Sequence, residues 1–158
     1  VDLVAHGLGE AMCCPTLKVR RTLTLSGARL VEVRREEMGP ISVADLAGVT
    51  WVLAEISFGE PVPAEPAITL RLDKNQFVGS AACNNYFAPY SSEGPGKLKV
   101  AASGSTRKAC SEPIMDLEAR YLKALEDVTS YSFLAGRLAL TYRRAGSFAT
   151  LLFTPSIN

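Results

Sequence analysis

The spacing of apolar residues changes only once along this chain, and that change constrains the fold more than any other feature. From Glu112 to Val128, apolar side chains recur every three or four residues, which predicts an amphipathic helix over about residues 112–128. Ser111 is a suitable N-cap for this helix, and Pro113 is tolerated in its first turn. Elsewhere the apolar pattern mostly alternates, as it does in half-buried strands. We therefore expect a mainly β protein, a β-rich member of the α+β class, with one helix.

The β pattern begins with an N-terminal hairpin over residues Leu17 to Val33, which turns at Ser26-Gly27. A charged stretch that ends in Gly-Pro follows, and it marks a linker over about residues 34–45. The proline-rich segment 59–66 predicts an extended loop, because a proline has no amide proton for a sheet ladder. Further strands are predicted near residues 46–56, 68–72, 77–81, 86–90, 98–101, 130–134, 137–143 and 147–153.

Length and charge limit the classes of function. The 158 residues suffice for one medium-sized domain, and no run approaches the roughly 20 apolar residues that span a bilayer. Seventeen basic and sixteen acidic residues leave a net charge of +1, which argues against nucleic-acid binding and against a polybasic membrane-surface protein. Because the sequence opens at Val1 without a signal peptide, we expect an excised piece, with any leader or lipid anchor upstream.

Candidate catalytic and metal-binding groups are scarce. His6 is the only histidine, and its place near a terminus disfavours a Ser-His-Asp or Cys-His site. The cysteines lack the spacing of a zinc site, and the Gly94-Pro95-Gly96-Lys97 turn lacks the hydroxyl residue of a phosphate-binding loop. We expect Asp116 and Glu118 to lie on the solvated face of the helix. No catalytic, cofactor-binding or metal-binding residue is assigned.

The four cysteines allow three complete pairings, and they are Cys13, Cys14, Cys83 and Cys110. Cys83 and Cys110 each belong to a patch of small residues beside a change in chain direction. A bond between them would close a loop of about 28 residues and contribute at most about 3.5 kcal/mol in the loop-entropy model. We favour this bond, and the alternative is two buried, reduced thiols that pack as small apolar side chains. The pairing of the adjacent Cys13 and Cys14 stays open.

Four blocks of sequence, taken together, resemble the META/HslJ domain family. They are Leu46-x-Gly48-x-x-Trp51-x-Leu53, Gly79-Ser80-Ala81-Ala82-Cys83-Asn84-Asn85-Tyr86 with the later Tyr90, Ser105-Thr106-Arg107-Lys108-Ala109-Cys110, and Met115-x-x-Glu118-x-x-Tyr121-Leu122-x-x-Leu125. The resemblance implies a small antiparallel, barrel-like β-domain with a packed helix over about residues 46–155. Residues 1–42 fall outside it and are expected to be the final hairpin of a preceding module.

The resemblance also marks individual residues. It makes Cys83, Asn84, Thr106, Arg107 and Cys110 signature positions and Trp51 and Glu118 recurring ones, most of them with structural roles. Aromatic residues near Arg107 suggest a recognition surface, formed by Asn84, Tyr86, Tyr90 and Arg107 with Phe87 beside them.

Members of this family are often bacterial envelope lipoproteins or secreted proteins, linked with heat-shock response and novobiocin resistance, and eukaryotic relatives are linked with parasite virulence. The resemblance therefore implies a non-enzymatic module of the periplasm, the outer membrane or the exterior, with a stress-protective role. We expect a monomer with an unknown protein or small-molecule partner and no cofactor. The alternative is a thiol-redox or barrel-type enzyme in which Cys83 and Cys110 cycle between thiol and disulfide.

Overall fold

The protein is described by a computed structural model that covers residues 1–5, 15–57 and 59–156. Its first part is a three-stranded antiparallel sheet in the order β1-β2-β3, with strands β1 (Asp2–Ala5), β2 (Leu17–Ser26) and β3 (Arg29–Pro40). The predicted N-terminal hairpin is therefore confirmed. The linker predicted from residue 34 is wrong over residues 34–40, because this charged stretch continues β3 and pairs with β2 up to Pro40.

A short 3-10 helix, Val43–Leu46, leads from this sheet into the second part of the structure. The remaining strands are β4 (Trp51–Ile56), β5 (Glu60–Pro61), β6 (Thr69–Asp73), β7 (Gln76–Ser80), β8 (Asn85–Ser91), β9 (Lys99–Val100), β10 (Gly104–Ser105), β11 (Val128–Leu134), β12 (Arg137–Arg144) and β13 (Ser147–Pro155). The proline-rich segment is mostly loop, as predicted, but it also contributes β5, a short strand at the edge of β4.

These ten strands form one antiparallel sheet in the order β10-β8-β7-β6-β4-β13-β12-β11, with β5 beside β4 and β9 beside β8. The sheet curves until its far ends meet. There the Leu98 N–H donates to the Thr129 carbonyl at 3.2 Å, and the Tyr131 N–H donates to the Gly96 carbonyl at 2.9 Å. The result is a nearly closed, barrel-like sheet, which confirms the predicted fold class.

The predicted helix is present as α1, Glu112–Glu126, with Ser111 as its N-cap residue and Pro113 in the first turn. It packs against β9 and β12, and one face of it is buried. The core that it covers is almost entirely aliphatic and aromatic. Its largest fully buried side chains are Tyr121, Phe77, Phe153, Ile41, Leu46, Ile68, Leu70, Leu98, Leu125, Leu138, Leu140 and Leu151. Trp51 is buried as well.

The three-stranded sheet contacts the barrel through a few specific interactions. Lys18 Nζ donates to Asp45 Oδ1 at 2.8 Å, which joins β2 to the 3-10 helix. The Ile41 N–H donates to the Thr16 carbonyl at 2.7 Å. Val19 is fully buried, and Val4 packs against the barrel core. The N-terminal sheet therefore lies on the barrel through the base of β2, while the far half of the β2–β3 ribbon stays exposed.

Candidate functional site

A disulfide joins Cys83 to Cys110, as favoured from the sequence, with 6.1 Å between the two Cα atoms. Cys83 lies in the turn between β7 and β8, and Cys110 lies directly before α1. The bond therefore ties the sheet to the start of the helix. Cys110 is exposed and Cys83 is half-buried, so the pair of buried, reduced thiols considered as an alternative is not present. His6, Cys13 and Cys14 lie outside the described residues.

Next to this bond, Asn84 and Glu118 form a buried polar pair. The Asn84 N–H donates to Glu118 Oε2 at 2.7 Å, and Asn84 Nδ2 donates to Oε1 at 2.8 Å. Only 2% of Asn84 and 5% of Glu118 are exposed. The prediction that Glu118 lies on the solvated face is wrong. Residue 118 is four residues after Ile114 and three before Tyr121, so the helical spacing itself places it on the buried side.

The other side of the Asn84 amide holds the loop that leads to Cys110. Asn84 Oδ1 accepts from Thr106 Oγ1 and from the Lys108 N–H, both at 2.7 Å. Asn84 Nδ2 also donates to the Lys108 carbonyl at 3.3 Å. The amide thus uses its donors and its acceptor on the protein itself, which leaves it no capacity for a ligand. We interpret Cys83, Asn84, Thr106, Cys110 and Glu118 as one structural unit, the Asn84 cluster.

Tyr86 is also part of the core. Its hydroxyl donates to the Thr69 carbonyl at 3.1 Å and lies 2.6 Å from the Tyr121 hydroxyl. Burial raises the pKa of Tyr86, and the hydrogen bond with Tyr121 opposes this only in part. Burial raises the pKa of Tyr121 well above its ordinary value too. Both phenols therefore stay protonated at neutral pH and act as a buried hydrogen-bonded pair.

The four residues of the predicted recognition surface do not form one surface. Asn84 and Tyr86 are buried, and Arg107 is exposed on the loop before Cys110, without a hydrogen bond or ion pair to the described part of the chain. Tyr90 lies near the opposite end of β8 from Asn84, where its ring stacks on Phe77 with 4.9 Å between centroids. Of the predicted residues, Tyr90 and Arg107 are the accessible ones, and a recognition role for them stays a prediction.

Tyr90 borders a cavity of about 540 Å³ that lies between the start of the barrel and its 90–95 loop. The lining includes Ile41, Val43, Asn75, Pro95 and Tyr131, together with Tyr90, and no charged side chain of the described chain is part of it. We call this space the Tyr90–Tyr131 cavity. Sequence reasoning missed it, because its walls come from four separated segments with no motif of their own.

Tyr131 gives this cavity its one unusual feature. The residue is 3% exposed, and its hydroxyl oxygen is buried without a hydrogen-bond acceptor among the residues that the structure describes. Burial raises the pKa of the hydroxyl, so it remains a donor at neutral pH. A buried O–H that lacks an acceptor costs about 1–3 kcal/mol. The hydroxyl oxygen is not accessible from the open cavity, so a ligand there could offer it an acceptor, and recover part of that cost, only after a side chain of the wall moves.

The described residues show no group of three or more His, Cys, Asp or Glu side chains that could hold a metal ion. Over the same ranges, no helix is long and apolar enough to cross a bilayer.

Comparison with known proteins gives a family match and two similar solved structures. The family model described as the META domain matches residues 44–154. An NMR structure of one protein aligns with a TM-score of 0.57 at 20% identity, over 72% of this chain and 94% of the other. An NMR structure of a protein from Burkholderia xenovorans aligns with a TM-score of 0.54 at 27% identity, over 80% of this chain and 97% of the other. No curated protein matches the chain.

Proposed function

Since the chain belongs to the META domain family, whose model spans most of it, we propose that it is a non-enzymatic binding module of the bacterial envelope or of a secreted protein. The family and the similar structures give no sign of enzymatic activity. The proposal has two separate parts, an exported location and a small-ligand site in the Tyr90–Tyr131 cavity.

The disulfide supports the exported location. Structural disulfides persist in oxidising compartments such as the periplasm and the exterior, whereas the cytosol keeps thiols reduced. In this chain the bond joins a turn of the barrel sheet to the start of the helix that packs on it. Alkylation of the protein in its native host, followed by mass analysis, tests this part. Recovery of Cys83 and Cys110 as free, alkylated thiols from intact cells would contradict an oxidising location.

The unpaired hydroxyl of Tyr131 is the observation that carries the binding proposal. The cavity beside it has a volume typical of small-molecule sites, and its walls combine apolar and aromatic groups with a few polar ones. Because no charged side chain of the described chain lines it, an uncharged ligand fits best. We propose a compact, largely apolar molecule with a carbonyl or similar acceptor, which reaches the buried Tyr131 O–H after a small movement of the cavity wall.

Nile red, an uncharged dye with a ring carbonyl, is a suitable probe, and Tyr131→Phe is the decisive variant. Removal of the unpaired hydroxyl should raise the free energy of unfolding by about 1 kcal/mol. The same change should weaken dye binding about fivefold, because one hydrogen bond is lost. Tyr142→Phe is the matched control, since Tyr142 is a buried tyrosine that does not line this cavity.

If Tyr131→Phe stabilises the protein but leaves the dye affinity unchanged, the binding proposal is wrong. It is also wrong if Tyr142→Phe weakens dye binding as much as Tyr131→Phe does. Tyr90→Ala gives a second check, because it removes a wall of the cavity at a half-buried position. It should weaken binding as well.

Because Cys110 is exposed, a thiol-redox role for the disulfide is a second candidate function. A reductant can reach this bond from solvent. Mild reduction followed by rapid thiol labelling of the native protein would favour the redox role. Resistance to reduction until the protein is unfolded would favour the structural role, which agrees with the hydrogen bonds of Asn84 that hold the same loop.

A further inference from the structure

Strands β6, β7 and β8 turn one face to the barrel core and the other to solvent. Leu70, Phe77 and Ala88 are fully buried on the inner face. Because side chains alternate between the two faces of a strand, the residues next to these three lie on the outer face. The outer face therefore holds the side chains that these strands leave accessible to a ligand.

One row of side chains runs across this outer face. Arg71 pairs with Val78, and Val78 pairs with Phe87. Phe87 in turn pairs with Gly104 of β10. Residues that lie directly opposite each other in antiparallel strands share a face, so a guanidinium and an aromatic ring flank one small apolar side chain. Strands lie about 4.8 Å apart, which places the backbones of Arg71 and Phe87 about 10 Å apart.

The ring of Phe87 is exposed but held in place. Half of the side chain, 50%, is accessible to solvent. A Cβ at residue 104 would lie 2.5 Å from Phe87 Cζ, so the ring occupies space that any larger residue than Gly104 would fill. The ring therefore lies over β10 with part of its surface free. An aromatic surface of this kind can stack on the C–H face of a sugar ring.

Next to this row, the same face forms a groove of about 440 Å³. Its polar lining consists of hydroxyl, amide and guanidinium side chains, which belong to Thr50, Thr69, Ser80, Asn85 and Arg71. The last three make no side-chain hydrogen bond or ion pair within the residues that the structure describes. Hydroxyl and amide groups both donate and accept, and the hydroxyls of a sugar need partners of both kinds.

Arg71 determines the charge of a suitable ligand. It is the one charged side chain among the described residues that line the groove. Asp73 lies two residues further along the same strand, but it does not line the groove and makes no ion pair with Arg71. A guanidinium binds a carboxylate through two parallel, charge-assisted hydrogen bonds. The groove therefore complements a ligand that joins a negative charge to several hydroxyls.

We propose that this outer face binds an acidic saccharide. A carboxylate of the saccharide pairs with Arg71, its hydroxyls bond to Ser80 and Asn85, and a second sugar ring stacks on Phe87. An open groove with so few contacts binds weakly, with a Kd of about 1 mM. The site shares no lining residue with the Tyr90–Tyr131 cavity, and it stands whether or not that cavity binds a ligand.

Trigalacturonate is a suitable probe, because each of its sugar rings carries a carboxylate. It is titrated into the isotope-labelled whole chain up to about 10 mM, and amide NMR shifts report the binding. The amides of Val78, Ser80, Asn85 and Phe87 should shift. Arg71→Gln should weaken binding about tenfold or more, because a charge-assisted contact is lost. Phe87→Ala should weaken it about fivefold, because the stacking surface is lost.

Arg35→Gln and Phe148→Ala are the matched controls. Both residues are exposed and lie on β3 and β13, away from the groove lining. These two variants should bind like the unchanged protein, and the spectrum of each variant shows whether its fold is intact. The trimethyl ester of trigalacturonate keeps the rings but removes the charges. It should bind about tenfold more weakly than the free acid.

The absence of amide shifts at the highest concentration would overturn the proposal, and so would shifts confined to the Tyr90–Tyr131 cavity. Equal binding of hexaglutamate would overturn it too, because negative charge alone would then suffice. Unchanged affinity of Arg71→Gln or Phe87→Ala would show that another surface binds the saccharide. Equal weakening by either control variant would lead to the same conclusion.

Discussion

At the scale of single residues, the Asn84 cluster shows how one amide can organise three segments. Asn84 lies between the sheet and the helix and gives two donors to the carboxylate of Glu118. Its carbonyl oxygen accepts from the loop before Cys110. Glu118 is buried and makes no ion pair within the described ranges, so hydrogen bonds from Asn84 satisfy its two carboxyl oxygens. Such an acceptor stabilises a fold only while all of its donors stay in place.

Replacement of Glu118 by alanine should therefore destabilise the protein strongly. The change leaves the Asn84 N–H without an acceptor, leaves Asn84 Nδ2 with only the Lys108 carbonyl, and opens space at the helix–sheet contact. We expect the free energy of unfolding in urea to fall by about 3 kcal/mol. Asp116→Ala, on the exposed side of the same helix, should change it by less than about 0.5 kcal/mol. Similar losses for the two variants would show that the buried hydrogen bonds contribute little.

At the scale of elements, the ion pair between Lys18 and Asp45 connects the N-terminal sheet to the entrance of the barrel. Partial burial raises the pKa of Asp45, but hydrogen bonds from Lys18 and Ser42 and the positive charge of Lys18 outweigh it, so the pKa lies below 3.8. A carboxyl group with a lowered pKa in the folded state stabilises the fold at higher pH. That contribution is fully present above the unfolded-state pKa and is lost as pH falls through the folded-state value.

Asp45→Asn should therefore lower the free energy of unfolding at pH 6 but have a shrinking effect below about pH 4. Urea titrations of both proteins from about pH 6 to 2.5 measure the difference. Lys18→Met should reduce the same pH dependence, because it removes the partner that lowers the pKa. A difference between Asp45→Asn and the unchanged protein that stays constant across this range would contradict the assignment.

The sequence predicted most elements of this fold, and the exceptions have physical reasons. The helix and the barrel strands bury one face, so their periodicity is visible in the residues. The second half of β3 is exposed on both faces, and its charged residues follow no alternating pattern that would separate a strand from a linker. β10 is only two residues long and depends on pairing with β8, a tertiary contact that local sequence does not encode.

The candidate site was less predictable than the fold. The sequence favours the Cys83–Cys110 pairing that the structure contains. The charge of Glu118 predicts an exposed side chain, whereas its position in the helix places it on the buried face. The Tyr90–Tyr131 cavity exists only because the fold brings Ile41 and Asn75, which are distant in sequence, to the same place. Long-range placement of this kind is set by the sheet order and leaves no local signature.

At the scale of the whole molecule, the disulfide spans 27 positions and connects the sheet to the helix. C83S/C110S should lower the free energy of unfolding by about 2–3.5 kcal/mol, because the unfolded chain regains the freedom of an open loop. The barrel should still form, since Asn84 holds the same loop by hydrogen bonds. Urea unfolding and far-UV circular dichroism measure the two effects. Loss of the folded spectrum would show that the bond is essential for folding.

Asn84 holds the loop before Cys110 through the Thr106 side chain and through backbone atoms of Lys108. At Lys108 the bonds come from the N–H and the carbonyl, while the side chains of Arg107 and Lys108 are exposed and make no hydrogen bond or ion pair with the described part of the chain. Substitution of these two outward side chains should therefore have little effect on folding, provided that residue 108 keeps its N–H and is not proline. The loop could therefore present different side chains to solvent at positions 107 and 108 while the rest of the fold stays the same.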